Sequence, residues 1–140
     1  MSITVNITDN TGEILRNLDE AYEIGLEEIG TLAEGYAVAA IESNPRRVDT
    51  GLLRNSITHG ISSKAPAKQT YQSDDGSKRG AYSGTLPGGG KAVYIGTNVE
   101  YAGYVHDGTS KMAPNRFLAS AASGHNSEYK QIMERALKGE

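Results

Sequence analysis

The stretch VYIGTNVEYAGYVHDGTSKMAPNRFLASAA, Val93–Ala122, decides the fold because strand, turn and helix signals follow one another closely in it. Its first residues, VYI, are a β-type run that ends at Gly96. The pair Thr97-Asn98 comes next and is typical of a turn, in which the chain reverses. The beginning of the stretch therefore predicts a short strand followed by a change of direction.

Two helices are predicted in the rest of this stretch. Tyr101, Tyr104 and Val105 have the spacings of one helical turn, which Gly108 should end. A second helix is predicted from Ala113, with Pro114 in its first turn, Gly124 as its stop, and an apolar face of Phe117, Leu118, Ala121 and Ala122. We expect the core to be built from the largest apolar residues of the stretch, which are Tyr101, Tyr104, Val105, Phe117 and Leu118.

The C-terminal residues predict a further helix. Asn126-Ser127 is expected to cap its N-terminus, and Gly139 to end it. Its apolar stripe consists of Tyr129, Ile132, Met133, Ala136 and Leu137.

The N-terminal third predicts one long amphipathic helix that begins after the capping residues Asp9-Asn10-Thr11 and runs to about Ser43, and Pro45 ends it. Its apolar positions step by three or four residues through Leu18, Tyr22, Leu26, Ile29, Ala33, Tyr36 and Ala40. Gly25 falls on this stripe, so either a close backbone approach or a kink is expected there.

Two more strands are predicted outside the opening stretch. Ile3, Val5 and Ile7 alternate with polar residues, which is typical of a strand, and Asp9-Asn10-Thr11 then offers helix-capping oxygens. Residues 57–62 are expected to form a strand that pairs with residues 92–97.

The connection over residues 63–91 is rich in Gly, Ser, Lys, Gln and Asp. It has only Tyr71, Tyr82 and Leu86 to bury, and a connection this long without periodicity is unusual in a compact domain. We predict a flexible arm or loop that becomes ordered against a neighbouring subunit. The fold class is then α+β, a single domain over residues 1–140 with a long N-terminal helix and a C-terminal helix packed on a small, mostly antiparallel sheet.

Composition argues against several classes of protein. The chain has no Cys, hence no disulfide or thiolate metal site, and it has no signal-peptide pattern or long apolar run, so a cytosolic origin without membrane contact is expected. His59, His106 and His125 lack ligand spacing, which favours structural or surface roles. No catalytic, cofactor-binding or metal-binding residues are predicted, and no cofactor.

Charge is divided unevenly along the chain. Residues 1–43 contain nine carboxylates and one arginine, a net charge of −8, whereas the remainder contains 13 basic and 8 acidic side chains, a net charge of +5. Two faces of opposite sign can direct head-to-tail packing of copies in a ring. The other interpretation is an ordinary solvated helix face.

Two motifs invite an enzymatic interpretation, and their context disfavours it. Asp49-Thr50-Gly51 is the signature of aspartic proteases, but a helix-like run follows, for which Asp49 or Thr50 is a natural cap, and the long N-terminal helix does not suit that fold. The run Gly88–Lys91 lacks the spacing of a phosphate-binding loop. A nucleic-acid-binding module is disfavoured because the sequence has a pI of about 5.6 and no basic stripe.

Two sequence blocks carry a family resemblance. RVDTGLLRNSI, Arg47–Ile57, and GTNVEYAGYVHDGTSKMAPNRFL, Gly96–Leu118, resemble the neck and tail-completion proteins of long-tailed bacteriophages, the head–tail joining family. In that family a DTG element with a small helix and strand precedes a GTN, Tyr-Ala, Tyr-Val, acidic, Gly-Thr element and an aromatic-led C-terminal helix. All of these occur here in order.

The resemblance implies a non-enzymatic virion protein that is assembled in the host cytoplasm and forms a homo-oligomeric ring, a hexamer, at the head–tail junction. Its implied partners are further copies of itself, neighbouring neck and tail-tube proteins, and DNA passing transiently and non-specifically through the ring. Loops are expected to face neighbouring rings or the lumen. The alternatives are a tail terminator or other neck protein and, further off, a homodimeric aspartic protease acting through Asp49-Thr50-Gly51.

Overall fold

The computed structural model describes residues 11–43, 51–88 and 91–139, and only the backbone of 11–17. Its elements are α1 (Thr11–Glu42), α2 (Leu52–Ser56), β1 (Thr58–Ile61), β2 (Thr70–Gln72), β3 (Arg79–Ala81), β4 (Val93–Gly96), α3 (Ala102–Asp107), α4 (Phe117–Ser123) and α5 (Asn126–Lys138). The α+β class is confirmed, since long helices pack with small antiparallel sheets.

Helix α1 is the long helix predicted from the sequence, and α4, α5, β1 and β4 all pack against it. Its apolar surface is broader than the predicted stripe because it serves several partners. Ala37 and Ile41, one position beyond the predicted Tyr36 and Ala40, are buried in the core. Tyr36 lies toward α5, where its ring stacks on His125 with 3.6 Å between ring centroids.

Two glycines of α1 allow close approach by other elements. A Cβ at Gly25 would lie 2.9 Å from Sδ of Met133 on α5, which confirms the close approach expected there. A Cβ at Gly30 would lie 2.7 Å from the His59 ring on β1 and 2.8 Å from Val93 on β4. The sheet therefore sits directly on the backbone of the helix.

Strands β1 and β4 form an antiparallel pair, as predicted, with His59 opposite Ile95 and Gly60 opposite Tyr94. Beyond the strands, the Ser62 N–H donates to the Ala92 carbonyl at 2.9 Å and extends the ladder.

A second antiparallel pair, β2 and β3, lies inside the segment 63–91, where the sequence indicated no element. Each strand has three residues, with the sequences TYQ and RGA, too short for an alternating pattern to be recognised. Polar contacts join this hairpin to its surroundings, since Asn55 on α2 donates to the Gln72 carbonyl at 2.9 Å and Asn98 donates to the Ala81 carbonyl at 2.9 Å. The expected single sheet is thus two separate pairs, and the mobility of the segment stays a prediction.

Both helices predicted within Val93–Ala122 are present, but the second begins later than predicted. Helix α3 ends at Gly108, which has φ 81°, as the sequence predicts. Helix α4 begins at Phe117, not near Pro114. The reason lies in Asn115, whose backbone N–H donates to the Val105 carbonyl at 3.0 Å and whose side chain donates to the Ala40 carbonyl at 3.1 Å. These contacts hold the chain outside helical geometry until Phe117.

Helix α5 begins at Asn126, with His125 in the preceding position. The predicted cap at Asn126-Ser127 is therefore wrong, because both residues lie within the helix and the side chain of His125 makes no capping hydrogen bond. Gly139 ends the helix as predicted, in left-handed geometry with φ 78°.

The core contains Phe117 at 0% exposure and, partly buried against it, Val105 and Leu118, as predicted. Tyr101 and Tyr104, expected in the same core, are 41% and 65% exposed. The inward face of α3 carries Ala102 and, of the predicted residues, only Val105, whereas Tyr101 and Tyr104 are exposed. Other core residues are Ala37, Ile41, Leu53, Ile57, Val99 and Ala121.

Several predictions concern residues outside the described ranges: the strand at Ile3–Ile7, the capping oxygens at Asp9 and Asn10, the stop at Pro45, and the cap at Asp49 or Thr50. The helix predicted after Asp-Thr-Gly is confirmed as α2, and Gly51 precedes it with φ 77°.

Candidate interaction surface

Three tyrosines of the opening stretch present their rings to solvent: Tyr94, Tyr101 and Tyr104. Tyr94 lies on β4, Tyr101 immediately precedes α3, and Tyr104 lies within α3. Tyrosine supplies large amphipathic contact area at low entropic cost, and it is enriched at protein interfaces. This region is therefore the first candidate for contact with another protein.

An apolar groove of about 480 Å³ lies beside β4, between it and helices α3 and α4. Ile95 and Phe117 contribute to its wall, although the Phe117 ring has no exposed surface of its own. The remaining lining residues are Thr97, Ala102, Gly103, His106, Asp107, Leu118, Ala119 and Ala122. Small apolar residues on the two helices, Ala102, Gly103, Ala119 and Ala122, contribute to its lining.

The hydrogen-bond register shows which backbone groups of β4 point away from β1. Opposed residues in an antiparallel pair alternate between those that exchange backbone hydrogen bonds and those that do not. Because Ser62 bonds to Ala92, the bonded pairs include Gly60 with Tyr94. The backbone groups of Val93 and Ile95 therefore point away from β1, and within the described ranges they have no backbone partner.

The outer edge of β1, by contrast, is covered by its own chain. The Ala67 N–H donates to the His59 carbonyl at 2.8 Å, and the Lys68 N–H donates to the Thr58 hydroxyl oxygen at 2.9 Å. One edge of the sheet is thus closed, and the edge of β4 is open.

A second apolar surface lies on α1 around Ile24, which is 65% exposed. With Ile61 it lines a groove of about 610 Å³, and the other lining residues are Glu20, Glu23, Glu27, Glu28 and Lys64. The sequence contained a signal for this surface, since Ile24 falls beside the apolar stripe and among glutamates. The predicted apolar stripe does not include Ile24.

His59 is buried between two carboxylates of α1. Its Nδ1 lies 2.6 Å from Glu34 Oε2, and its Nε2 lies 2.7 Å from Glu27 Oε1. Burial of the ring acts to lower its pKa, but the hydrogen bonds and charges of Glu27 and Glu34 outweigh burial and raise the pKa above its usual value. Lys68 pairs with the other oxygen of Glu34 at 3.2 Å. This arrangement ties β1 to α1 by charge, which agrees with the structural role expected for His59.

Basic residues from later in the chain pair with the acidic helix α1. Lys91 lies 3.2 Å from Asp19, Lys64 lies 2.9 Å from Glu23, and Arg135 and Arg54 lie 3.9 and 3.7 Å from Glu28 and Glu42. Among the described residues, four carboxylates of α1 are therefore each paired with a basic residue from later in the same chain. This weakens the case for head-to-tail packing of oppositely charged faces.

The turn between β2 and β3 is ordered by polar groups. Asp75 accepts from the Ser77 backbone and from the hydroxyls of Ser77 and Ser73, which lowers its pKa to about 2. Hydrogen bonds from the side chains of Asn55, the larger contribution, and Arg54 likewise lower the pKa of Asp74. These carboxylates are acceptors in a turn, which is a structural role.

Lys91 and the histidines, the residues with catalytic or metal-binding potential, lie apart from one another. Lys91 of the glycine-rich run is engaged by Asp19 and by the Tyr22 ring, 5.8 Å from its centroid. His125 stacks on Tyr36, and the His106 ring packs nearly perpendicular to the Phe117 ring. Within the described ranges no group of three His, Cys, Asp or Glu side chains is arranged to hold a metal ion.

Comparison with known proteins gives no relative: no family model, curated protein or solved structure matches this chain. Among the helices in the described ranges, none has the length and apolar character needed to cross a membrane.

Proposed function

We propose that this chain is a structural protein of a tailed bacteriophage or prophage that forms a homo-oligomeric ring, a hexamer, at the head–tail junction. The resemblance of its two sequence blocks to the head–tail joining family supports this proposal. The structural observation in its favour is the open edge of β4 beside an apolar groove and exposed tyrosines, since such a surface suits contact with protein.

In this role the protein acts by shape and contact. Copies of the chain are the first partners, and the neighbouring neck and tail-tube proteins are the next. DNA passes through the lumen without sequence-specific contact. A tail terminator or other neck protein is the alternative within the same class.

Native mass measurement of the purified chain tests the proposal. A six-fold or twelve-fold assembly is expected, and a monomer at all concentrations would overturn it. Tyr104→Ser, at a ring that is 65% exposed, should weaken assembly without changing the melting temperature. Lys111→Ser, an exposed substitution on the following loop, is the control. Binding of the ring to a connector or to a tail tube distinguishes head–tail joining from tail termination.

A further inference from the structure

The ring of His59 lies between two carboxylates, and this geometry requires a proton on both of its nitrogens. Nδ1 lies 2.6 Å from Glu34 Oε2, and Nε2 lies 2.7 Å from Glu27 Oε1. Ionised carboxylates only accept hydrogen bonds, and a neutral imidazole has a single N–H. The neutral ring can therefore bond to one carboxylate, while its other nitrogen turns a lone pair toward the second. Loss of the proton must break one of the two contacts.

The charges around the ring lead to the same conclusion. In the described part of the chain they are Glu27 and Glu34 on α1 and Lys68 after β1, whose Nζ lies 3.2 Å from Glu34 Oε1. The imidazolium of His59 and the ammonium of Lys68 together balance the two carboxylates. Deprotonation of the ring leaves one carboxylate unbalanced.

The other elements packed against the ring supply no charge that could replace the lost proton. Strand β4 has the sequence VYIG and places Ile95 opposite His59. The phenols of Tyr82 and Tyr94 lie beside this part of β1, and a phenol is uncharged in the pH range in which histidine titrates. Lys64, which follows β1, is paired with Glu23 at 2.9 Å.

The two carboxylates differ in how firmly they are held. Glu34 is only 16% exposed and is also bound by Lys68, which in turn donates to the Asn55 carbonyl at 3.2 Å. Glu27 is 56% exposed, and within the described ranges its carboxylate has no partner besides His59. The ring itself is fixed, because it is buried and packs on the backbone of α1 at Gly30. Glu27 is therefore the group that is free to move.

We propose that the contact between His59 and Glu27 is a pH-sensitive switch between β1 and α1. The protonated ring binds both carboxylates, and loss of its proton releases the Glu27 carboxylate to solvent while the Nδ1–H bond to Glu34 remains. Burial lowers the pKa of His59, but the hydrogen bonds and charges of Glu27 and Glu34 outweigh burial and raise it above the usual value. The switch therefore opens as pH rises through this raised pKa.

Opening changes a surface as well as a contact. Glu27 lines the groove on α1 that Ile24 and Ile61 also line. Its release adds an unpaired carboxylate to that groove at the higher pH. The switch is a property of the single chain, so it goes beyond the proposed ring and does not depend on it.

Nitrogen-15 NMR of the assigned His59 ring tests the switch directly, because protonated and unprotonated ring nitrogens resonate far apart. Both nitrogens should be protonated at low pH. At high pH only Nδ1 should carry a proton, which is the tautomer that donates to Glu34. The titration midpoint in the folded protein should lie above about 6.5.

Three glutamine variants separate the roles of the carboxylates. Glu34→Gln should invert the neutral tautomer to Nε2–H, because Glu27 is then the only carboxylate left to accept. Glu27→Gln should lower the midpoint but preserve the Nδ1–H tautomer, since its amide can donate to the neutral ring. Glu23→Gln, which removes the partner of Lys64, is the matched control and should leave both the midpoint and the tautomer unchanged.

Urea unfolding measures the release itself. Glu27→Ala should lower the urea midpoint at pH values below about 6.5, where the ring is protonated in both states, and this difference from the wild type should vanish above the folded pKa. Glu34→Ala should lower the midpoint on both sides, because its bond to the ring persists.

Each contrary result overturns the switch. An Nε2–H tautomer in the neutral wild type would mean that Glu34, and not Glu27, is released. A ring that keeps one protonation state at every pH at which the protein stays folded would mean that no switch operates. An equal effect of Glu27→Ala at low and high pH would show that the Glu27 contact survives deprotonation. All of these measurements are made on the single chain, so they leave the proposed ring to be decided by native mass.

Discussion

Phe117 is the residue whose side chain is most clearly committed to the core. Among the described residues it is the largest side chain with no exposed surface, and its ring packs nearly perpendicular to the His106 ring, with 5.3 Å between ring centroids. Phe117→Ala should lower the free energy of unfolding by about 3–5 kcal/mol, because it removes a fully buried ring and leaves a cavity in the core. Urea unfolding measures this, with Ala122→Ser, exposed on the same helix, as control.

A stable Phe117→Ala variant would mean that the side chain is not a core residue. If that variant melted normally and failed only to assemble, Phe117 would belong to an interface instead. Measuring unfolding and native mass on one preparation separates these cases.

His59 should make stability depend on pH. Its pKa is raised in the folded state by Glu27 and Glu34, against the opposing effect of burial. The stabilisation that protonated His59 provides is therefore fully present below its unfolded-state pKa of about 6.5. It is lost as pH rises through its folded-state pKa. The urea midpoint of the wild type should fall over that range above pH 6.5.

The controls for this pH dependence are His59→Gln and Glu34→Gln. The first removes the titrating ring and should flatten the fall. The second removes one of the two carboxylates, so the fall should move to lower pH. An unchanged profile in His59→Gln would assign the pH dependence to another group.

At the scale of elements, two glycines in the interior of α1 make opposite predictions. Gly30→Ala places a methyl group 2.7 Å from the His59 ring and 2.8 Å from Val93, so helix and sheet must move apart and the protein should be destabilised. Gly35→Ala meets nothing within 4 Å and should stabilise by up to about 1 kcal/mol, since alanine is the better helix former. Thermal unfolding of both variants checks the sign of each effect, and equal shifts would contradict the packing.

The hairpin β2–β3 gives the second prediction for an element. Asn55 donates to the Gln72 carbonyl and, at 3.0 Å, to Asp74, so Asn55→Ala should loosen the hairpin. Trypsin should then cut faster at Lys78 and Arg79, with Thr31→Ala on the exposed side of α1 as control. In the wild type, cutting within 63–91 should be slower in the assembly than in the monomer, and equal rates would contradict the predicted ordering against a neighbour.

Elements with a periodic apolar pattern or a glycine at their end were predictable from the sequence. Elements that depend on tertiary contacts were not. The stripe of α1, the glycine at the end of α3 and the partnership of β1 with β4 are all local or pairwise patterns. The hairpin was not predictable because its strands are short and its support comes from Asn55 and Asn98, which are distant in sequence. Likewise, the outward direction of Tyr104 depends on which face of α3 meets the core, which spacing alone leaves open.

For the whole molecule, the ion pairs seen at α1 are made within one chain, by Lys64, Lys91 and Arg135. The proposed assembly should therefore persist at about 0.5 M salt, where screening acts within a few ångströms. Native mass or light scattering at low and high salt measures this. Dissociation at high salt would indicate that oppositely charged faces of neighbouring copies hold the ring together, as the sequence alone permitted.

The packing of α5 on α1 also has a consequence for folding during synthesis. Gly25 leaves the ribosome early, but the side chain that packs on it, Met133, is translated more than a hundred residues later. Until then the face of α1 at Gly25 has no cover, and contacts so distant in sequence form slowly. The nascent chain is therefore expected to be a client of chaperones that shield apolar helices, and to become independent of them once its last helix has been released.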